Sequence, residues 1–297
     1  MNLLRQRTFP FTKPTWPGSV PMPPVERKTG VDFETDWARR YPARLGRAIV
    51  LDNVGRPLVN LVATPTIRGA DRIEHLKGPA VFAANHASHM DVPLLLTSLP
   101  QRFRHRTAIA AGADYFFDKR WKGAMWAFLI NAFPFERLRL SRRGAELAGS
   151  LLADGWNVII FPEGGRSPDG WGQPHKPGVA YIALRHNVPI VPVHLEGTRR
   201  ILKRGGKVLT PSTTTISFGT PLHADEGEDA RAFADRVERA VAALADEQAT
   251  DWWTARRRAA ARSTPALSGP AQAGAWRRQW ALGEGRRRTT TTRKWPT

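Results

Sequence analysis

Short apolar runs that each stop at a polar cluster, separated by segments of helical length, occupy the middle of this chain and leave few folds open to it. Residues 79–84 (PAVFAA) and 157–161 (NVIIF) have the length and content of buried strands, and 107–111 and 190–194 look similar. Helical candidates lie around them at 92–98, 119–131, 141–153 and 178–187. This alternation predicts a single α/β domain with a mostly parallel central sheet flanked by helices. A late strand over 213–218 and a helix from 228 to about 248 close the globular part, and no internal repeat is visible.

The ends read differently. Residues 1–30 are rich in proline and carry no helical or strand period, which predicts an extended arm. Residues 255–297 are poor in aliphatics and interleave arginine with tryptophan, which predicts a basic, unstructured tail. Residues 31–70 are expected to be helical and 71–254 to form the α/β domain. Within 41–66, Arg44, Arg47 and Arg56 mix with Leu45, Ile49, Val50, Leu58, Leu61 and Val62. That pattern predicts an N-terminal amphipathic segment of one or two basic helices, broken near Gly55 and Pro57. They either rest in a membrane interface or pack on the core as a hairpin.

Charge bears on partners. Lysine plus arginine number 45 against 26 acidic residues, a net +19. Residues 255–297 hold eleven basic and one acidic side chain and residues 1–30 five and one, so the middle keeps only +5. Such a balance suggests nucleic acid, anionic lipid headgroups or a phosphorylated substrate. The absence of cysteine excludes disulfides, iron–sulfur clusters, zinc–thiolate sites and a thiol nucleophile. Apolar runs such as 123–135 are shorter than a spanning helix, and the first residues lack the apolar stretch of a secretory signal. The expectation is a peripheral protein without a transmembrane helix on the cytoplasmic face of the cell membrane.

Two motifs carry chemistry. After the first apolar run stands NHASHMD, Asn85 to Asp91. A histidine and an aspartate five residues apart can meet across a strand-to-helix turn, the carboxylate orienting the imidazole as a general base. A structural His86 satisfies the same spacing. After a later run stands FPEGGRS, Phe161 to Ser167. Its glycine pair lets backbone amides approach a ligand and Arg166 offers a planar fork to phosphate oxygens, although a plain glycine-rich turn reads the same way. His86 and His89 lack an evident third ligand, so no metal is expected. Nothing marks Ser88 as a nucleophile. Trp121 and Trp126 with Lys119, Arg120 and Lys122 form either an interfacial patch or a core-facing helix.

In this order, each after a strand, the motifs resemble those of the glycerolipid acyltransferases, which include 1-acylglycerol-3-phosphate and glycerol-3-phosphate acyltransferases. That family carries Asn-His-x4-Asp, an arginine-containing block, Phe-Pro-Glu-Gly-Thr-Arg-Ser and a proline-containing apolar strand. Here NAFPFER at 131–137 and VPIVPV at 188–193 supply the second and fourth, and the resemblance spans roughly 58–222. It implies that His86 is the catalytic base and Asp91 its orienting partner. Glu163, Gly164, Gly165 and Arg166 would hold the glycerol-phosphate end of the acceptor, with Arg137, Asn85 and Lys176 as further contacts. Gly165 replaces the family's usual threonine, Asn131 a frequent glycine and Glu136 a common aspartate, which leaves open an acceptor other than lysophosphatidic acid.

The resemblance implies transfer of a fatty acyl group from an acyl thioester to the hydroxyl of 1-acylglycerol 3-phosphate, giving phosphatidic acid in phospholipid biosynthesis. Glycerol 3-phosphate, another lysophospholipid or a glycolipid are alternative acceptors. Acyl-coenzyme A or acyl carrier protein would bring the thioester as co-substrate, with no resident cofactor. The implied partners are thus the thioester donor, a lysophospholipid and an anionic membrane surface. Two other classes remain: a basic nucleic-acid-binding protein, not expected because the core shows no such motif, and a catalytically silent lipid-binding relative.

Overall fold

The structure, a computed structural model, describes residues 30–136, 142–202, 206 and 208–268. A 3-10 turn (Asp36–Arg39) opens into helix α1 (Tyr41–Val50), a π-helical turn (Leu51–Gly55) and helix α2 (Arg56–Ala63). Strand β1 (Pro65–Arg68), a 3-10 turn (Ala70–Ile73) and strand β2 (Val81–Ala84) precede α3 (Asp91–Ser98) and α4 (Gln101–Arg104). Then come β3 (Thr107–Gly112), α5 (Ala113–Phe116), α6 (Arg120–Ile130), β4 (Ala132–Phe135), α7 (Arg142–Ala153) and β5 (Asn157–Ile160). Helix α8 (Gly178–His186), β6 (Ile190–Glu196), α9 (Thr198–Ile201), β7 (Thr214–Phe218), α10 (Ala230–Ala249) and α11 (Trp252–Ala260) follow.

The strands form one sheet in the order β1-β7-β6-β2-β5-β3-β4. Strands β2 to β6 all run parallel, β7 runs antiparallel to β6, and β1 is parallel to β7. The α/β architecture read from the sequence is therefore the observed one. In β2 every residue is buried, and the two-residue period divides them: Phe82 and Ala84 join the cluster under α3, Val81 and Ala83 the cluster under α7, α8 and α10. Burial of a side chain as large as Phe82 contributes about 1.5–3 kcal/mol. Pro192 is accommodated within β6 because its carbonyl faces β7, accepting from Gly219 N at 2.8 Å, where the β6–β7 ladder ends and no donor is required.

Three elements depart from the sequence reading. The first is the N-terminal helix, which does not break at Gly55 and Pro57. Val50, Leu51, Gly55 and Arg56 all keep right-handed helical angles, and Arg56 N bonds to Leu51 O, five residues back. The wider π turn gives the Pro57 ring room that a tight α turn would deny it. Edge strands β1 and β4 are the second departure, since the helical reading of 41–66 runs across Pro65 and AFPF is four residues with a proline inside. Thr64, left-handed at φ 34°, ends α2 and releases β1. The third is helix α11, which lies where the tail was expected to be unstructured. Asp251 caps it by accepting from Thr254 N, Arg258 pairs with the buried Asp246 at 2.6 Å, and Leu267 O accepts from Gly172 N. The expected arm at 1–30, apart from Gly30, and the rest of the tail, 269–297, lie outside the described residues.

Candidate active site

The site sits where β2 ends. Asn85 turns its amide to β6, donating Nδ2–H to Leu195 O at 2.9 Å and accepting from Leu195 N at 2.7 Å. It continues the ladder with its side chain and holds the strand end. His86 follows. Its Nδ1 lies 2.8 Å from Asp91 Oδ2, and its ring stacks on Phe161 with centroids 4.1 Å apart. Asp91 opens α3 and is fully buried; the same Oδ2 accepts from Ala87 N at 2.7 Å and Ser88 N at 2.8 Å. Two backbone donors and the imidazole thus converge on one carboxylate oxygen, and a neutral imidazole that donates its Nδ1–H to that oxygen presents Nε2 as the acceptor nitrogen.

The FPEGGRS loop leaves β5, the neighbour of β2, and folds over His86. Ser167 N donates to His86 O at 2.7 Å. Glu163 is buried, one carboxylate oxygen accepting from His86 N at 2.9 Å and the other from Gln173 N at 3.1 Å. Both oxygens therefore brace backbone, tying the segment after β2 to the loop after β5. Burial pushes its carboxyl up to about 8, the two N–H donors pulling the other way. Gly164 has φ 73°, a conformation that side chains disfavour, while a Cβ at Gly165 would meet nothing within 4 Å. Arg166 and Lys176 are half-buried in this loop and at its end, and Lys176 N bonds to Pro162 O. Arg137 lies outside the described residues.

Several residues gain a place that motif reading did not assign. Phe161 packs the imidazole. His175 is buried with neither ring nitrogen bonded, and burial drops it to about 4. Arg199, just beyond β6, directs its guanidinium to the carbonyls of Ser167 and Pro168 at 3.3–3.4 Å. Its only sequence signal is position, one turn past an apolar strand that borders β2. Ser88 is fully buried and its hydroxyl donates to Leu202 O, which leaves it no nucleophilic part. His89 stacks on Tyr115 of α5, with ring centroids 5.7 Å apart. Asn131 caps α6 in the left-handed region at φ 52° and donates to Thr107 O. Glycine and asparagine are the residues that favour this conformation, so the backbone at 131 accommodates either.

The Acyltransferase family model matches residues 64–196, a span that holds His86, Asp91, Glu163, Arg166 and Lys176. A 1-acyl-sn-glycerol-3-phosphate acyltransferase of Cocos nucifera is 28% identical over 59% of this chain and 55% of its own length. The human 1-acyl-sn-glycerol-3-phosphate acyltransferase beta is also 28% identical, over 59% of this chain and 62% of its own. The chain spans about half the length of the curated relatives it matches. Among solved structures, the 1-acyl-sn-glycerophosphate (LPA) acyltransferase PlsC of Thermotoga maritima superposes with a TM-score of 0.55 at 23% identity, covering 74% of this chain and 85% of that one. That likeness shows a shared fold.

Proposed function

From the premise that residues 64–196 are an acyltransferase-family domain, we propose that the chain transfers a fatty acyl group from an acyl thioester to the free hydroxyl of 1-acylglycerol 3-phosphate. The observation that carries this reading is the His86–Asp91 pair at 2.8 Å, held under a loop that presents Arg166. Asp91 fixes the imidazole so that Nε2 takes the proton from the acceptor hydroxyl as its oxygen attacks the thioester carbonyl. The tetrahedral oxyanion collapses, the carbon–sulfur bond breaks, and the imidazolium returns its proton to the departing thiolate. No covalent enzyme intermediate is needed. Arg166 holds the acceptor's phosphate so that the hydroxyl meets His86.

The acceptor is an amphiphile, and the N-terminal helix offers a surface for its bilayer. Tyr41, Leu45, Ile49, Val54, Leu58 and Leu61 are 47–75% exposed. Their spacing is four, four, five, four and three residues, with the five falling across the π turn, so the extra residue keeps one apolar stripe in line. On the opposite side Arg47 is buried, donating to Ala38 O at 2.9 Å, its pKa pressed to about 10 by burial yet still charged at neutral pH. This stripe rests in the membrane interface and brings the site to its substrates.

The test is transfer from long-chain acyl thioesters to lysophosphatidic acid, glycerol 3-phosphate and neutral lysolipids. His86→Ala and Asp91→Asn are each expected to lower kcat by about 10²–10⁴-fold with the fold intact. Wild-type inactivity toward every acceptor, or activity that survives loss of His86, overturns the reading.

A further inference from the structure

We propose that Arg199 is a second cation of the acceptor site, gripping a phosphomonoester together with Arg166 and setting the preference for a dianionic headgroup. The inference rests on the acyl-transfer reading for its substrate, and on the structure for its geometry. Strands β5 and β6 flank β2, so the segments that follow them bracket His86 from both sides. From the β5 side the loop crosses over His86 through the Ser167 N to His86 O bond. From the β6 side Arg199 reaches the same loop, Nη1 lying 3.4 Å from Ser167 O and from Pro168 O and Nη2 3.3 Å from Pro168 O. Its guanidinium therefore stands against the two carbonyls that directly follow Arg166. Gly170, at φ 102°, admits the stem: a Cβ there would lie 3.4 Å from Arg199 Cδ and Nε.

The electrostatics point to an anion. The contacts of Arg199 are to neutral carbonyls at the long limit for N–H···O bonds, and among the described residues it forms no ion pair. Its neighbour Arg200 turns outward to Ser212 Oγ and Thr213 O. A charged fork held by weak dipolar contacts exchanges them readily for shorter, charge-assisted bonds to a phosphate. The loop is open two residues before Ser167, where a Cβ at Gly165 would meet nothing within 4 Å. Two guanidinium groups favour a phosphomonoester, which carries close to two charges at neutral pH, over a phosphodiester with one. The family match stops at Glu196, before this residue.

The experiment pairs binding with kinetics on the full chain. Glycerol 3-phosphate, a soluble phosphomonoester, is titrated against wild type and Arg199→Gln at two salt concentrations. Lysophosphatidic acid, lysophosphatidylglycerol and monoacylglycerol are then compared as acceptors. Arg199→Gln is expected to weaken glycerol 3-phosphate binding and raise the KM for lysophosphatidic acid each by about tenfold, in line with loss of a charged hydrogen-bonding pair. It leaves kcat within about threefold and the monoacylglycerol rate unchanged, because a contact made equally in ground and transition states moves KM alone. Arg199→Lys restores part of the affinity. A wild type that fails to bind glycerol 3-phosphate overturns the anion site whatever its activity. Equal binding by Arg199→Gln does so too, as does a kcat that falls alike for every acceptor, the mark of a residue that merely braces the loop. Inactivity of a wild type that binds glycerol 3-phosphate in an Arg199-dependent way overturns the acyl-transfer reading alone.

Discussion

His175 and Glu163 are both buried and respond to pH in opposite senses. His175, lowered to about 4 from 6.5, is held neutral; the unfolded chain takes up its proton first as pH falls, so stability is lost between about 6.5 and 4. Glu163, raised to about 8 from 4.5, is held protonated; the unfolded chain releases its proton first as pH rises, so stability is lost between about 4.5 and 8. Urea midpoints against pH are expected to show His175→Phe flattening the acid limb, by about 3 kcal/mol at its foot, while Glu163→Gln flattens the alkaline limb. An acid limb unchanged in His175→Phe means that the ring is not buried neutral. Motif reading identified both members of the His86–Asp91 pair, because their chemistry depends on identity and spacing. It did not reveal that Asn85 and Glu163 also brace backbone, because which way an amide or carboxylate turns is settled by backbone groups from segments distant in sequence.

Among the elements, the N-terminal helix and α11 carry what the apolar pattern only half revealed. Amphipathicity of 41–66 is legible in the chain, whereas the π turn that keeps its exposed stripe aligned is not, since no residue type demands it. Leu45→Glu with Leu61→Glu is expected to lower cosedimentation with anionic vesicles by about tenfold or more, each change removing an apolar side chain from the interface. The thermal midpoint should stay put, as both side chains lie outside the core. Vesicle binding that matches wild type would remove the stripe from the account. Strand β4 was hidden for a related reason: an edge strand needs few residues and tolerates Pro134, so its four-residue run carries little period.

At the scale of the whole molecule the basic excess of the C-terminal segment divides between residues 255–268, which the structure describes, and residues 269–297. Residues 255–268 are tied down through the Arg258–Asp246 pair and the Leu267–Gly172 bond, while 269–297 add seven basic side chains and one acidic. Deleting 269–297 is expected to reduce binding to anionic vesicles in a salt-sensitive way and to leave transfer to soluble acceptors within about twofold, since polybasic attraction is worth at most about 1 kcal/mol per residue near the surface. Deleting 255–297 removes most of α11 as well and should lower the thermal midpoint; a midpoint equal to that of the shorter deletion would show that α11 adds no stability. The chain by itself determined the fold class and the pairing of His86 with Asp91, because periodicity and short-range spacing are local properties. Only the tertiary structure decided that β5 and β6 flank β2. That strand order converts Asn85 and Glu163 into braces and carries Arg199 to the loop beside Arg166, because contacts between residues tens to more than a hundred positions apart are set by sheet topology and leave no trace in local sequence.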